Sequence, residues 1–382
     1  EHDEYEDWLA GSEPLTDATP VGEGETFLQL YTSGTTGFPK GAMLTQRGLT
    51  AHANGMADSV AMDEHSVAMV AMPLFHVGGS SWALATMYYG ARQLLVRDIN
   101  PPALAEEMIE QGVSHAFLVP AIFGFLLQVP GIGERDWSKL RGLVYGASPM
   151  PLPLLRRSMA TFPTNFYQVY GMTEASGAVT VLMPDAHRDT ANEHRLISAG
   201  TPLKGVEIVA ADPVTAQPLG PGEVGEIMVR TEQLMAGYWD RPEDSERAMS
   251  DGWLHSGDAG YVDEDGYVFI SDRVKDMIIS GGENIYPAEI ERVIGEHPSV
   301  ADVAVIGVPD ETWGEVGKAI VTPAPGATVD AAELIALAKS QLASFKVPKS
   351  VEVIAEMPRN ATGKILKKDL RAPYWVDRSR AV

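Results

Sequence analysis

The sequence predicts an α/β protein, with a large domain of mixed sheets followed by a small α+β domain, and three observations carry that expectation. From Phe27 to Ile320, short apolar runs such as FLQLY, SVAMVAM, RQLLV, HAFLVP, GLVYGA and GEIMVR alternate with helix-like stretches such as ALAEEMIEQG and PLPLLRRSMAT. This is the pattern of strands interleaved with covering helices. Between Gly252 and Ile285 the texture changes: the strands AGYV and GYVFI flank the turn Asp263-Glu264-Asp265-Gly266, a hairpin signal. Finally, 382 residues exceed what one hydrophobic core usually serves, so two or more domains are expected.

Taken in order, residues 1–25 are acidic, rich in Gly, Ser, Thr and Pro, and without Lys or Arg, which reads as an exposed lead-in. Residues 26–272 form the large domain, whose Gly-bearing loops after strands are where such folds place ligands. Residues 273–276, within Asp-Arg-Val-Lys-Asp, read as a charged hinge, and 277–382 as the small domain. There PAEIERVIGEH and AAELIALAKSQLASF have the spacing of amphipathic helices, and VADVAVIGVP and KSVEVIAEMP that of strands. The chain does not begin with Met and reaches its most distinctive loop early, so it reads as a fragment of a longer protein.

Composition narrows the function. A net charge of −23 argues against a nucleic-acid partner and requires any nucleotide site to supply local cations and a metal ion. The absence of cysteine excludes disulfides, thiolate metal sites and a thioester on the protein itself, so a thiol would come from outside. Nine histidines show no HExxH or other tight zinc spacing. No apolar stretch is long enough to span a bilayer and no signal sequence opens the chain, so the expected location is cytoplasmic.

Leu30 to Met43 read LYTSGTTGFPKGAM. Gly34 and Gly37 reach backbone angles that let successive N–H groups converge on an anion, Thr32, Ser33, Thr35 and Thr36 add hydroxyls, and Lys40 adds a fixed charge. A Walker A loop needs GxxxxGK followed by Ser or Thr, so this is a different phosphate loop; the same composition also suits an ordinary surface turn.

Four further segments have compositions that suit chemistry. PLFHVGG sets His76 beside glycines at the end of an apolar run, which also fits a packed strand end. YGASPM, with Gly146, Ala147 and Ser148, turns through small residues suited to a flat ring, or caps a helix with Ser148. FYQVYGMTEASG offers Tyr170 for stacking, with Gln168 and Gly171 beside it, and Thr173-Glu174 as hydroxyl and carboxylate. Mg²⁺ takes one or two such carboxylates beside phosphate and water, although Thr173 and Glu174 would also suit a helix N-terminus. The fourth is distributed: Asp258 suits a ribose diol, Arg273 and Lys275 lie in the connector, and Gly363 projects Lys364.

These segments, in this order, closely resemble the adenylate-forming (AMP-binding) superfamily of acyl-CoA synthetases, luciferases and peptide-synthetase adenylation domains. The likeness runs from about Thr26 to Arg371. SGGENIYPAEIE has the form typical of CoA ligases, which points to the acyl-CoA synthetase, fatty-acid–CoA ligase branch. The family carries a large subdomain ahead of the phosphate loop that is not seen in this sequence.

The resemblance implies a fold with a large N-terminal domain, here partial, and a small mobile C-terminal lid. It implies that a carboxylate attacks the α-phosphorus of MgATP to give acyl-AMP and pyrophosphate, after which the thiol of CoA displaces AMP. Thr32, Ser33, Gly34, Thr35, Thr36, Gly37 and Lys40 would hold the β- and γ-phosphates. Tyr170 would stack on adenine over Gly146, Ala147 and Ser148, with Gln168 and Gly171 nearby. Thr173 would bond the α-phosphate, Glu174 and Thr32 would meet Mg²⁺, and Asp258 and Arg273 would hold the ribose. Lys364 would bridge the carboxylate and α-phosphate. Lys275 would be the hinge, and Gly281 and Gly282 would approach CoA. His76, Val77, Gly78, Gly146, Gly171, Met172 and Ser176 to Ala178 would line the pocket of a fatty, aryl or sterol-derived acid. Two further readings use the same residues: an adenylating enzyme that passes the acyl group to a carrier protein, and a nucleotide- or acyl-adenylate-binding module without turnover. Oligomeric state is not legible in the sequence.

Overall fold

The computed structural model describes residues 2–14, 20–32, 39–213, 215–273, 276–281, 283–359 and 365–376. Its centre is a seven-stranded sheet in the order Arg92–Leu95, Val67–Val70, His115–Leu118, Gly142–Gly146, Asn165–Met172, Gly177–Leu182 and Thr201–Pro202. The first five strands run parallel and the last two antiparallel.

Side-chain alternation explains why this sheet has helices on both faces. Ala68, Val70, Phe117, Val144, Tyr167 and Val169 point into one core with Met56, Ala57, Val60 and Trp82 from the helices Gln46–Val60 and Val77–Tyr88. Their strand neighbours Met69, Ala116, Leu118, Leu143, Tyr145 and Phe166 point into the other core. There they meet Leu104, Met108, Phe123 and Leu155 from Pro101–Glu110, Pro120–Leu126 and Leu152–Thr161. Local sequence sets the helix ends: Thr45 caps Gln46–Val60 by accepting from Gly48 N–H at 3.0 Å, and Asn100 caps Pro101–Glu110.

A second, antiparallel sheet is built from Val206–Ala211, Gly225–Thr231, Met249–Ser250, Trp253–Val262 and Val268–Arg273. It contains the expected hairpin. Asp263 Oδ1 accepts from the N–H groups of Asp265 and Tyr267, and Gly266 takes φ 83°. A two-stranded ribbon, Thr26–Thr32 with Lys40–Thr45, stands apart from both sheets.

The C-terminal part is α+β. Glu283–Ile285, Ile278–Ser280, Gly314–Pro323 and Val300–Asp310 form a sheet in that order, and Ser350–Val353 pairs parallel with Gly314–Pro323. Ile290, Ile294 and Leu334 from Pro287–Gly295 and Ala331–Gln341 fill its core.

Two sequence expectations change. The lead-in contains a helix, His2–Ala10, with Trp8 and Leu9 exposed. The charged hinge is not wholly a linker, because Arg273 ends the strand Val268–Arg273. The acids around it are tied to the small domain: Asp272 accepts from Ala288 N–H at 2.9 Å, and Asp276 pairs with Arg371 at 2.7 Å. No helix among the described residues is long and apolar enough to cross a membrane.

Candidate active site

The strand Asn165–Met172 and the turn after it carry the densest group of candidates. Thr173–Ala175 is a single 3₁₀ turn leading into the strand Gly177–Leu182, so Thr173 and Glu174 do not open an α-helix. The return is tight enough to require left-handed backbone at Ser176, φ 59°, and at Gly177, φ 140°. Gly171 is dictated by space, since a Cβ there would lie 2.0 Å from the Gly177 carbonyl oxygen.

This turn is held by the segment after Gly225–Thr231. Ser176 Oγ donates to the Gln233 carbonyl at 2.7 Å, Met235 N–H donates to the Glu174 carbonyl at 2.8 Å, and Tyr238 Oη donates to Glu174 Oε1 at 2.8 Å. Burial first, and then the Glu174 carboxylate, push the Tyr238 hydroxyl pKa up, so it remains a donor.

The same segment holds the ribbon that flanks the candidate phosphate loop. Thr32 and Lys40 face one another in the last register pair of the ribbon; Ser33, Gly34, Thr35, Thr36 and Gly37 lie outside the described residues. Trp239 N–H donates to the Gly41 carbonyl and Met43 N–H to that of Gly237. Lys40 Nζ sits 2.9 Å from Asp244 Oδ1 and 5.2 Å from the centre of the Tyr238 ring. The Lys40 contact holds the Asp244 carboxyl below its usual range. One apolar cluster, Leu30, Ala42, Leu44, Leu49, Val77, Met235 and Tyr238, underlies this arrangement and joins chain neighbours of Thr32, Lys40 and His76.

His76 is not at a packed strand end. It is the N-cap of Val77–Tyr88, with Nδ1 accepting from Gly78 N–H at 3.1 Å, which leaves the proton of a neutral ring on Nε2.

A second constellation joins the two large sheets. Tyr170 Oη donates to Asp258 Oδ2 at 2.7 Å, and Asp258 is the backbone partner of Arg273 across the hairpin. Gly146 ends its strand opposite Val169, whose carbonyl oxygen would be 2.3 Å from a Cβ on Gly146. Ala147 follows in left-handed conformation at φ 64°, and Ser148 is exposed. The next helix, Leu152–Thr161, has Pro151 at its N-cap without a side-chain cap bond, so Ser148 does not cap it. Gln168 lies opposite Tyr145 in the same strand pair.

In the small domain Gly281 turns between Ile278–Ser280 and Glu283–Ile285 at φ 60°, donating from its N–H to the Trp313 carbonyl. Lys275, Gly282 and Lys364 lie outside the described residues. No group of three or more His, Asp or Glu suited to a metal occurs among the described residues. A lone half-buried carboxylate such as Glu174 fits a magnesium ion whose other ligands are phosphate and water.

Sequence reasoning missed Gln233, Tyr238 and Asp244. The only signal in LMAGYWDRPED is weak: Tyr238 follows a short apolar run and is buried with its hydroxyl bonded, but the next residue, Trp239, is exposed.

Comparison with known proteins gives this geometry a family. Residues 2–239 match the AMP-binding enzymes and residues 289–364 match the AMP-binding enzyme C-terminal domain. A feruloyl-CoA synthase of an Amycolatopsis species is 43% identical over 357 residues, covering 93% of this chain and 71% of that protein. A fatty acid–[acyl-carrier-protein] ligase of Streptomyces coeruleorubidus is 41% identical over 372 residues, covering 96% of this chain and 70% of its own length. The ATP-bound crystal structure of MatB from Rhodopseudomonas palustris superposes with a TM-score of 0.89 at 33% identity, over 97% of this chain and 72% of that one. A fold of this kind, matched by both family regions and by relatives named as ligases, places the chain in the AMP-binding enzyme family, among its AMP-forming acid–thiol ligases.

Proposed function

We propose that this protein activates a carboxylic acid with MgATP and transfers the acyl group to CoA. The observation that carries the proposal is the 2.7 Å bond from Tyr170 to Asp258. It puts an aromatic face and a diol-binding carboxylate side by side, with Tyr170 three residues before the hydroxyl of Thr173 and four before the carboxylate of Glu174. A nucleotide laid along this line has its adenine on Tyr170, over Gly146, Ala147 and Ser148, with Gln168 and Gly171 at the edges. Asp258 and Arg273 take the ribose hydroxyls. The α-phosphate meets Thr173, and the outer phosphates meet Thr32, Lys40 and the loop from Ser33 to Gly37.

A carboxylate oxygen attacks the α-phosphorus while the bond to pyrophosphate breaks, and the thiol sulfur of CoA then takes the acyl carbon as AMP leaves. The protein's task is to neutralise charge that grows as one anion approaches another. Lys40 does this at the departing pyrophosphate, and Lys364 bridges the two reacting groups. Glu174 and Thr32 would hold the magnesium ion, which would supply charge stabilisation there. The acid lies along His76, Val77, Gly78, Met172 and Ser176 to Ala178. Lys275 is the hinge that brings Gly281 and Gly282 to CoA. The cytoplasm holds both ATP and CoA and is the location this reading assigns.

A carrier protein is the alternative acceptor, favoured by the Streptomyces coeruleorubidus relative named for that reaction. Incubation with ATP, magnesium, an acid panel and either CoA or a phosphopantetheinylated carrier protein, with mass detection of thioester and AMP, tests the proposal. Thioester on CoA supports it; thioester formed only on the carrier moves the chain to the alternative.

A further inference from the structure

Lys40 is committed to a protein partner, although the reading above gives it to phosphate. Its Nζ is 2.9 Å from Asp244 Oδ1, with the two side chains 13% and 12% exposed. A pair this withdrawn from solvent is screened less than a surface pair, and a ligand anion must compete with it. The ordinary account of Asp244 is an acidic residue in the first turn of the helix Pro242–Ala248, where it complements the helix dipole. That account does not explain why the carboxylate reaches out of its helix to a lysine at the mouth of the phosphate loop.

Arg247 makes an exchange feasible. Its Nη2 lies 2.7 Å from the same Oδ1 atom of Asp244, and its side chain is 69% exposed. When Lys40 turns to a phosphate, Asp244 keeps a counter-ion, so no bare carboxylate faces the incoming polyanion. Tyr238 fixes the geometry from beneath. Its ring lies 5.2 Å from the Lys40 ammonium and its hydroxyl donates to Glu174, so the ring is held in place beside the lysine.

We infer that Asp244 is a latch on Lys40: it holds the ammonium when no phosphate is bound, yields it to the polyphosphate of ATP or to pyrophosphate, and so sets how tightly that anion is held and how readily it leaves. The inference rests on the reading that Lys40 binds the outer phosphates. In catalytic terms Asp244 is a positioning residue. It lowers affinity for the ground-state anion and shortens the residence of the departing pyrophosphate.

The test is calorimetric titration of inorganic pyrophosphate, with magnesium, into the whole chain and its variants. Asp244→Asn removes the competing charge with little change of shape, and pyrophosphate should bind about two- to fivefold tighter, the scale of one partly screened ion pair. Arg247→Gln leaves Asp244 to Lys40 alone and should weaken binding about two- to threefold, an effect that vanishes in the Asp244→Asn background. Asp244→Glu keeps the charge and should restore affinity close to wild type. In turnover, Asp244→Asn should lower KM for ATP and lower kcat where pyrophosphate release limits. Unchanged or weaker pyrophosphate binding in Asp244→Asn at an unchanged Tm overturns the latch. If that variant does not fold, the opposite-signed Arg247→Gln effect carries the test, and its absence overturns the latch equally. Lys40→Met separates this from the underlying reading: pyrophosphate affinity untouched by that change removes Lys40 from the phosphate site altogether.

Discussion

Tyr238 Oη donates to Glu174 Oε1 at 2.8 Å, across 64 residues of sequence. The bond engages Oε1 of the carboxylate, and in the proposed site the other oxygen would meet magnesium. Tyr238→Phe keeps the buried ring and removes the donor. The cost in stability should be about 1 kcal/mol, the usual net worth of one hydrogen bond, with more if the carboxylate is left poorly solvated. The sharper expectation is kinetic: the magnesium concentration for half-maximal pyrophosphate exchange should rise while the KM for the acid stays put. A metal dependence identical to wild type would detach Tyr238 from Glu174's function.

Tyr170 has two separable contributions. Its hydroxyl donates to Asp258 at 2.7 Å, and in the proposed site its ring would be the stacking surface. Tyr170→Phe should raise KM for ATP about fivefold, the equivalent of one lost hydrogen bond of ~1 kcal/mol. Tyr170→Ala should cost a further ~1–3 kcal/mol of nucleotide binding through lost stacking. A phenylalanine variant as damaged as the alanine variant would put the whole effect on Asp258.

Gly146 is a packing requirement at the site. A Cβ at this position would fall 2.3 Å from the Val169 carbonyl oxygen and 2.9 Å from Val169 Cγ2. Gly146→Ala should therefore force the two strands apart, destabilising the protein by about 1–3 kcal/mol or more and lowering ATP affinity. Urea unfolding with nucleotide titration checks both, and an unperturbed Tm would contradict the geometry.

The fold class was legible because short apolar runs alternate with helix-like stretches, as strands buried on both faces require: Phe117 faces one core while Ala116 and Leu118 face the other. Strand order was not, because parallel strands buried on both faces, such as Gly142–Gly146, look alike whichever neighbour they take. Glu174 and Lys40 stood out through local composition. Tyr238 and Asp244 did not, because a lone Tyr after Gly and an acid in a helix's first turn are ordinary, and their partners lie far away in sequence. Arg273 was read as linker because its charged neighbours mask the strand pairing that seats it opposite Asp258.

Acid should unfold this protein through histidine. Burial pulls His52, His115 and His187 down to about 4 from an ordinary value near 6.5. Each native ring is neutral, whereas the unfolded ring takes a proton near 6.5. As pH falls from 6.5 toward 4, stability should therefore drop by up to about 1.4 kcal/mol per pH unit for each histidine, and above 6.5 they contribute no slope. Neither ring nitrogen of His52 has a hydrogen-bond partner among the described residues. His52→Leu, similar in volume and without buried polar atoms, should raise the Tm at pH 5 more than at pH 8. Equal shifts at both pH values would contradict the buried neutral ring.

ATP–pyrophosphate exchange with the purified chain tests the adenylation site most directly, across short, long-chain, aryl and sterol-derived acids without CoA. The account predicts exchange that depends on one class of acid. It should fall about 10²- to 10³-fold in Lys364→Ala, as for loss of one preorganised charge, while that variant still makes thioester from supplied acyl-AMP and CoA. Exchange at background with every acid, in a folded protein that binds ATP, would contradict it.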